Sequence, residues 1–448
     1  MASRTRVLAE TAVPRYTSYP TAPQFTPEIT ADRYASWLVA LPPTATLSLY
    51  VHIPYCAQLC RYCGCHTKAV RRRDPVDAYA DRLLEELALL GARLGGRKLI
   101  YLHWGGGTPS IVGGPRLGEI HARIGEIFEG TNCEHAIELD PRYVSRELAV
   151  SLAKMGVNRA SLGVQDFAPH VQHAIGRIQP FDVVQRSVAA LREGGVERIN
   201  LDLMYGLPRQ SVEDVRRSAT LAASLRPQRL AHFGYAHVPW IKKHQKAIDA
   251  ATLPGAAERL QQAEAARAVL VAHGYQPIGL DHFALPQDDL AIAARAGRLH
   301  RNFQGYTTDL ADALIGIGAS AISRLAQGFA QNLPDIEKYA GAVAGGGFAT
   351  ARGLALSADD LLRGRIIERL MCDFSVDLQA IASPSELAAA NEFARELQAL
   401  NPLLAEGLVR RTGGRIEVTE QGRPFVRLVA AVFDAYLPVS GARHSVAV

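Results

Sequence analysis

The chain has 448 residues, 48% of them hydrophobic and 21% charged, which supplies core for one large domain with an appendage or for several smaller ones and excludes a disordered or fibrous protein. Its formal charge of +5, from 49 Lys and Arg against 44 Asp and Glu, is mildly basic and lacks the concentrated stripes of a dedicated nucleic-acid binder. No stretch offers about 18 consecutive apolar residues, and the opening "MASRTRVLAETAVPRYTSYP" has no apolar signal core, so no membrane partner and a cytoplasmic location are expected.

Residues 1–46, rich in Pro, Thr and Tyr, read as an extended N-terminal arm with one short helix near "ADRYASWLVAL". Six strand-like runs follow, each leading into a helical pattern: 47–54, 98–104, 135–140, 159–167, 198–206 and 229–238. In the first intervening helix Val76, Tyr79, Leu83, Leu87 and Leu90 recur at helical spacing, and Gly95 and Gly96 end it. Ser145 and Ser211 stand where N-caps are needed. Alternating strands and helices with short connections favour parallel strands and right-handed crossovers.

A flat doubly wound sheet competes with a partly open parallel (β/α)6 barrel, and the unusual residues decide between them. Cys56, Gly105 to Thr108, Glu138, Gln165, Asp202 and Ala236 all fall at or just past the C-terminal ends of predicted strands, which converge on one mouth only in a barrel. The barrel domain is assigned to 47–345. A glycine-rich break, "AGGGFATARG", leads into a mostly helical C-terminal domain, 346–448. There "GLVRRTGGRIEVTEQG" predicts a winged-helix-like hairpin about Gly413 and Gly414, followed by an apolar helix from Arg423 to Leu437. No basic recognition helix accompanies the hairpin, so packing or a lid role is expected and nucleic acid is not.

Four of the six cysteines lie in "HIPYCAQLCRYCGCH". Cys56, Cys60 and Cys63 form C-x3-C-x2-C, with Cys65 one residue further on. In a reducing compartment such a cluster indicates a metal or redox site more than a disulfide framework. A closed zinc knuckle needs four ligands, commonly two separated C-x2-C pairs, and the second pair is missing, so Cys65 or His66 would have to complete it. An iron–sulfur cubane normally takes four thiolates, and with three from the protein one iron stays open to substrate or cofactor. Cys133 and Cys372 stand alone and read as buried packing residues.

The C-x3-C-x2-C loop after the first strand, with a glycine-rich segment after the second, resembles the radical S-adenosylmethionine superfamily. The longer motifs "SLYVHIPYCAQLCRYCGC", "LHWGGGTP", "GVQDF", "DLMYGLP" and "LHRNFQGYTT", in that order, resemble the oxygen-independent coproporphyrinogen III oxidases over nearly the whole chain. The resemblance implies one [4Fe-4S] cluster held by Cys56, Cys60 and Cys63, with the fourth iron left to S-adenosylmethionine and Cys65 not a ligand. It also implies two molecules of S-adenosylmethionine. Tyr50, Gly106, Glu138 and Ile322 match positions around the first, and Tyr62, Gly107, Thr108, Gln165, Arg177, Asp202 and Ala236 positions around the second. Independently, Gly105, Gly106 and Gly107 are expected to expose N–H groups to a ligand, with Thr108 adding a hydroxyl.

The implied reaction is oxidative decarboxylation of two propionates of coproporphyrinogen III to vinyl groups, giving protoporphyrinogen IX in haem biosynthesis. The resemblance has it initiated by a 5′-deoxyadenosyl radical, with an unidentified electron donor and acceptor. A tetra-anionic substrate suits a basic mouth, and Arg15, Arg61 and Arg301 lie near motif segments, although each taken singly reads as a surface charge. A haem-trafficking relative is the nearest rival, but Cys63-Gly64-Cys65 is present and no Tyr-Trp dipeptide occurs, which favours the enzyme. Without an obvious exposed apolar helix the chain is expected to be a monomer.

Overall fold

All six predicted strands lie side by side in one sheet of the computed structural model, which describes residue 8 and residues 10–130, 133–382 and 393–437. They are β1 (Leu47–Ile53), β2 (Leu99–Gly106), β3 (Glu134–Leu139), β4 (Arg159–Gln165), β5 (Arg198–Tyr205) and β6 (Arg229–Gly234). Each neighbouring pair is parallel. Their buried positions run almost without interruption in β1, as expected of a parallel strand with helices on one side and the barrel interior on the other.

The sheet is larger than six strands. Beyond β6 come β7 (Gln276–Ile278) and β8 (His282–Ala284), and beyond β1 come β9 (Ala313–Ile317), β10 (Ile322–Leu325), β11 (Gly328–Asn332) and β12 (Thr350–Ala355). The order is β12-β11-β10-β9-β1-β2-β3-β4-β5-β6-β8-β7, with β9 a seventh parallel strand and the outer strands antiparallel. The edge strands β12 and β7 do not pair, so the barrel is partly open as expected. Strand β12 lies beyond the glycine-rich break at 345–347 yet pairs along β11, so the main sheet continues to Ala355.

Of the seven longer helices described up to Ala272, three open on a side-chain cap. The seven are α1 (Ala31–Val39), α2 (Asp74–Leu94), α3 (Gly114–Ile127), α4 (Arg146–Lys154), α5 (Phe181–Gly194), α6 (Val212–Ser224) and α7 (Ala256–Ala272). The Ser145 side chain accepts from Leu148 N to open α4, Ser211 and Asp214 form a capping box on α6, and Gly95 closes α2. On α2 the fully buried Glu86 accepts from Gly318 N, Asn332 Nδ2 and Tyr339 OH, all at 2.7 Å. Those donors come from the β9–β10 turn, β11 and α8 (Ile336–Ala344), so one carboxyl staples the antiparallel extension to the barrel.

The C-terminal segment packs α9 (Ala358–Asp373) and α10 (Val426–Ala431) on a three-stranded sheet of Ser375–Asp377, Arg415–Val418 and Val409–Thr412. The hairpin is present. The helix expected over Arg423–Leu437 is not continuous: a 3-10 turn occupies Arg423–Phe425, and α10 ends at Ala431. Asp434 captures the N–H groups of Tyr436 and Leu437 with its own side chain, which draws the backbone out of the helix. The arm is a clasp more than an extension. Val13, Tyr16 and Tyr19 are buried in the same cluster as Leu370 and Phe433, and Tyr16 OH donates to Asp434 at 3.0 Å. The beginning of the arm and the last eleven residues of the C-terminal segment lie outside the described residues.

Candidate active site at the barrel mouth

The thiols sit on a loop anchored at its base. Tyr55–Cys56 pairs with Lys68–Ala69, through Lys68 N to Pro54 O and Val70 N to Cys56 O, each 2.9 Å. Within the loop, backbone carbonyls that a strand would satisfy are bound by side chains. His52 Nε2 donates to His66 O (2.9 Å), His244 Nε2 to Cys63 O (2.7 Å), Lys242 Nζ to Cys65 O (2.9 Å) and Gln245 Nε2 to Tyr62 O (2.9 Å). The segment following β6 thus straps the thiol loop to the barrel, and "KKHQ" gave no signal of that role in the sequence. Burial lowers His52 to about 4, so it is neutral, with Nε2 carrying the proton and Nδ1 accepting from Tyr50 OH at 3.0 Å.

One cavity of about 510 Å³ opens at the strand ends, lined by Cys56, Cys60, Cys63, Tyr62, Gly106, Gly107, Thr108, Glu138, Gln165, Arg177, Asp202 and Ala236. Twelve of the fourteen expected site residues therefore meet at one place. Tyr50 and Ile322 do not line it: Tyr50 lies behind Gly105, against Glu138, and Ile322 stands over Gly316, the partner of Tyr50 in β9. Cys65 lines the cavity as well and is exposed. Cys133 and Cys372 are buried elsewhere.

Each thiol has its own surroundings. Cys56 Sγ lies 3.3 Å from Thr67 Oγ1 and 3.4 Å from Thr108 Oγ1. The Cys60 thiol accepts from Arg177 Nη1 at 3.5 Å. The Cys65 thiol beside it brings Cys63 down to about 7. Arg177, buried after the short helix Pro169–Ile175, is fixed by Asp140 Oδ2 (3.2 Å), Gly163 O (2.7 Å) and Gln179 Oε1 (3.1 Å), so its charge is aimed at Cys60 by contacts on three sides.

The glycine segment works differently from the expectation. Gly106 N donates to Glu138 Oε2 (3.1 Å), Gly107 N to Ile53 O and Thr108 N to Tyr55 O (2.8 Å each), so these N–H groups are spent inside the protein instead of facing a ligand. The glycines serve close packing: a Cβ on Gly106, whose φ is 108°, would meet the His52 ring at 2.7 Å, and one on Gly107 would overlap Tyr55 O. Glu138 is accordingly held by Gly106 N and His103 Nε2 (3.1 Å). In β4 a register shift between Gly163 and Gln165 puts Gln165 at φ 69°, a left-handed conformation unusual for a non-glycine residue, at the cavity wall.

Asp202 accepts from Ser161 Oγ (2.8 Å) and Asn200 Nδ2 (2.7 Å), yet burial first, and then the Glu138 charge, push its carboxyl from 3.8 up to about 6. The folded chain therefore binds more protons than the unfolded one between those values, and this residue's contribution to stability falls as pH rises from about 4 to about 6. Asp202→Asn is expected to flatten that part of the curve, read as melting temperature against pH for both proteins. A slope identical to wild type would show that Asp202 ionises normally. Asp166, also raised to about 6 by burial, contributes a slope of the same sign that the substitution leaves in place.

Residues 50–222 match the Radical SAM superfamily model, and a partly open parallel barrel with a three-thiol loop after β1 makes this a radical S-adenosylmethionine enzyme. Residues 356–425 match the HemN C-terminal domain model, which begins directly after β12. The chain is 46% identical over 445 residues to the oxygen-independent coproporphyrinogen III oxidase of Bradyrhizobium diazoefficiens, covering 98% of both chains. It is 41% identical to that of Paracoccus denitrificans, again with 98% of both covered. The solved structure of coproporphyrinogen III oxidase (HemN) from Escherichia coli superposes with a TM-score of 0.90 at 39% identity, over 94% of this chain and 97% of that one. The chain belongs to the oxygen-independent coproporphyrinogen III oxidase family.

That class carries a [4Fe-4S] cluster and uses S-adenosylmethionine. The residues present fit both: soft thiols converge on one cavity with hydroxyl and guanidinium donors against them, and carboxyl, amide and carbonyl groups continue along its wall.

Proposed function

We propose that this protein converts two propionates of coproporphyrinogen III to vinyl groups without oxygen, yielding protoporphyrinogen IX in haem biosynthesis. The observation that carries the reading is the end-to-end match to coproporphyrinogen III oxidases, within which twelve of the fourteen expected site residues gather at one cavity. Cys56, Cys60 and Cys63 hold the cluster, and Cys65 serves as a thiol donor beside Cys63 and not as a ligand. Bound there, the cluster supplies one electron and S-adenosylmethionine becomes the source of a hydrogen-abstracting radical. The protein's share is positional. Arg177 and Thr108 set charge and hydrogen bonds at the sulfurs, Glu138 and Asp202 offer acceptors, and the segment after β6 holds the thiol loop in place.

We read two S-adenosylmethionine molecules in the cavity, one near Gly106 and Glu138, with Tyr50 and Ile322 behind that wall, and one near Tyr62, Gly107, Thr108, Gln165, Arg177, Asp202 and Ala236. The protein acts as a cytoplasmic monomer with separate electron donor and acceptor, and among the described residues no helix is long and apolar enough to cross a membrane. Anaerobic reconstitution with iron and sulfide, then incubation with coproporphyrinogen III, S-adenosylmethionine and reductant, is expected to release protoporphyrinogen IX. Cluster formation without product would overturn the reading in favour of haem handling.

A further inference from the structure

A second chamber of about 340 Å³ adjoins the thiol cavity, and its wall is dominated by arginine. Six line it: Arg15 from the arm, Arg259 and Arg267 from α7, Arg301, and Arg423 and Arg427 from the C-terminal segment. The two outer ones are neutralised at the rim, where Arg267 lies 3.5 Å from Glu264 and Arg423 2.9 Å from Glu420. The inner wall has one carboxylate, Asp281. Burial opposes its ionisation, but His282, Arg301 and Arg15 hold it down to about 2. Burial and then the Arg15 charge push Arg427 down to about 9, the mark of cations gathered closely away from water.

Arg301 is only 9% exposed, which corrects its reading as a surface charge. Its Nε donates to Tyr16 O (3.2 Å), its plane lies 4.4 Å over the Tyr306 ring, and its Nη1 is buried with no hydrogen-bond partner among the described residues. The Arg301 guanidinium thus keeps a donor that no described residue satisfies, which is costly away from water. Arg61, by contrast, stays at the surface, packs on Gly176 and donates to Ala174 O. Arg15 and Gly234 line both cavities, and Arg15 Nη2 donates to Gly234 O (2.5 Å), so the chamber and the thiol cavity meet at the end of β6.

Resting on the function proposed above, we infer that this chamber holds the propionates of the tetrapyrrole that keep their carboxylates. None of the thiols lines it, so a carboxylate bound there is removed from the reacting centre, while the rest of the macrocycle passes Arg15 toward the thiols. Arginine presents the planar fork that pairs bidentately with a carboxylate. Binding spent on these groups positions the ones that react.

The test uses the reconstituted, cluster-loaded protein. Arg301→Gln and Arg427→Gln are each expected to raise the KM for coproporphyrinogen III about ten- to a hundredfold, with S-adenosylmethionine affinity unchanged. Fluorescence titration should show the same loss for coproporphyrin III and for deuteroporphyrin, which has two carboxylates, but none for etioporphyrin, which has none. Arg301→Lys should recover part of the loss. Folded variants with wild-type KM and coproporphyrin affinity would overturn the assignment. So would loss confined to coproporphyrin, because the chamber would then hold the reacting arms. Should wild type bind coproporphyrin in an Arg301-dependent way yet never convert coproporphyrinogen III, the function fails and the carboxylate site stands.

Discussion

Cys56→Ala, Cys60→Ala and Cys63→Ala are each expected to assemble no stable [4Fe-4S] cluster and to lose turnover to background, whereas Cys65→Ala keeps its four irons. The three proposed ligands differ from Cys65 in how the fold holds them. Cys56 is clamped between two threonine hydroxyls and Cys60 faces a buried, fully tethered Arg177, while Cys65 is an exposed thiol at the cavity wall beside Cys63. Iron and sulfide content with electron paramagnetic resonance of the reduced protein, with and without S-adenosylmethionine, reads the outcome directly. If Cys65→Ala loses the cluster and Cys63→Ala retains it, the ligand assignment is wrong.

The largest structural effect is expected at Glu86. Glu86→Leu strands the Gly318 N–H and the Tyr339 hydroxyl in the core and leaves the Asn332 amide only its bond to Gly318 O, at a cost of about 3–5 kcal/mol. Glu86→Gln costs about 1 kcal/mol, because its carbonyl can still serve Gly318 and Tyr339 and only Asn332 meets a donor. Chemical denaturation of the three proteins checks the ranking. A leucine variant as stable as wild type would show that the antiparallel extension does not depend on this carboxyl.

The barrel was legible because its signals are local: apolar runs ending in Cys56, Gly105, Glu138, Gln165 and Asp202 recur at the same end of each strand, and Ser145, Ser211 and Gly95 mark the helices between. The seventh parallel strand was not. "ALIGI" over Ala313–Ile317 is short, contains a glycine and leads into a hairpin in place of a helix, so neither length nor a following period announces it. The same holds for β10 to β12, whose pairing is set by tertiary contacts such as the Glu86 staple. At the site, Cys56, Gly106 to Thr108, Glu138, Gln165, Asp202 and Ala236 were readable from strand ends and Tyr62 and Arg177 only from the family resemblance, while the spending of the Gly106 and Gly107 N–H groups was readable from neither, since it depends on how closely β2 lies against Tyr55 and Glu138. The strap of Lys242, His244 and Gln245 binds through backbone carbonyls of a distant loop, which no spacing records.

The arm that buries Tyr16 against Asp434 joins positions 418 apart. A ribosome releases Val13, Tyr16 and Tyr19 long before the residues that enclose them, so these apolar groups wait unsheltered through almost the entire synthesis of the polypeptide. Arg15 and Arg427, far apart in the sequence, line one chamber only after the later of the two has left the ribosome. A nascent barrel already possesses its thiols while the C-terminal part of the chamber wall, Arg423 and Arg427 included, is still unmade.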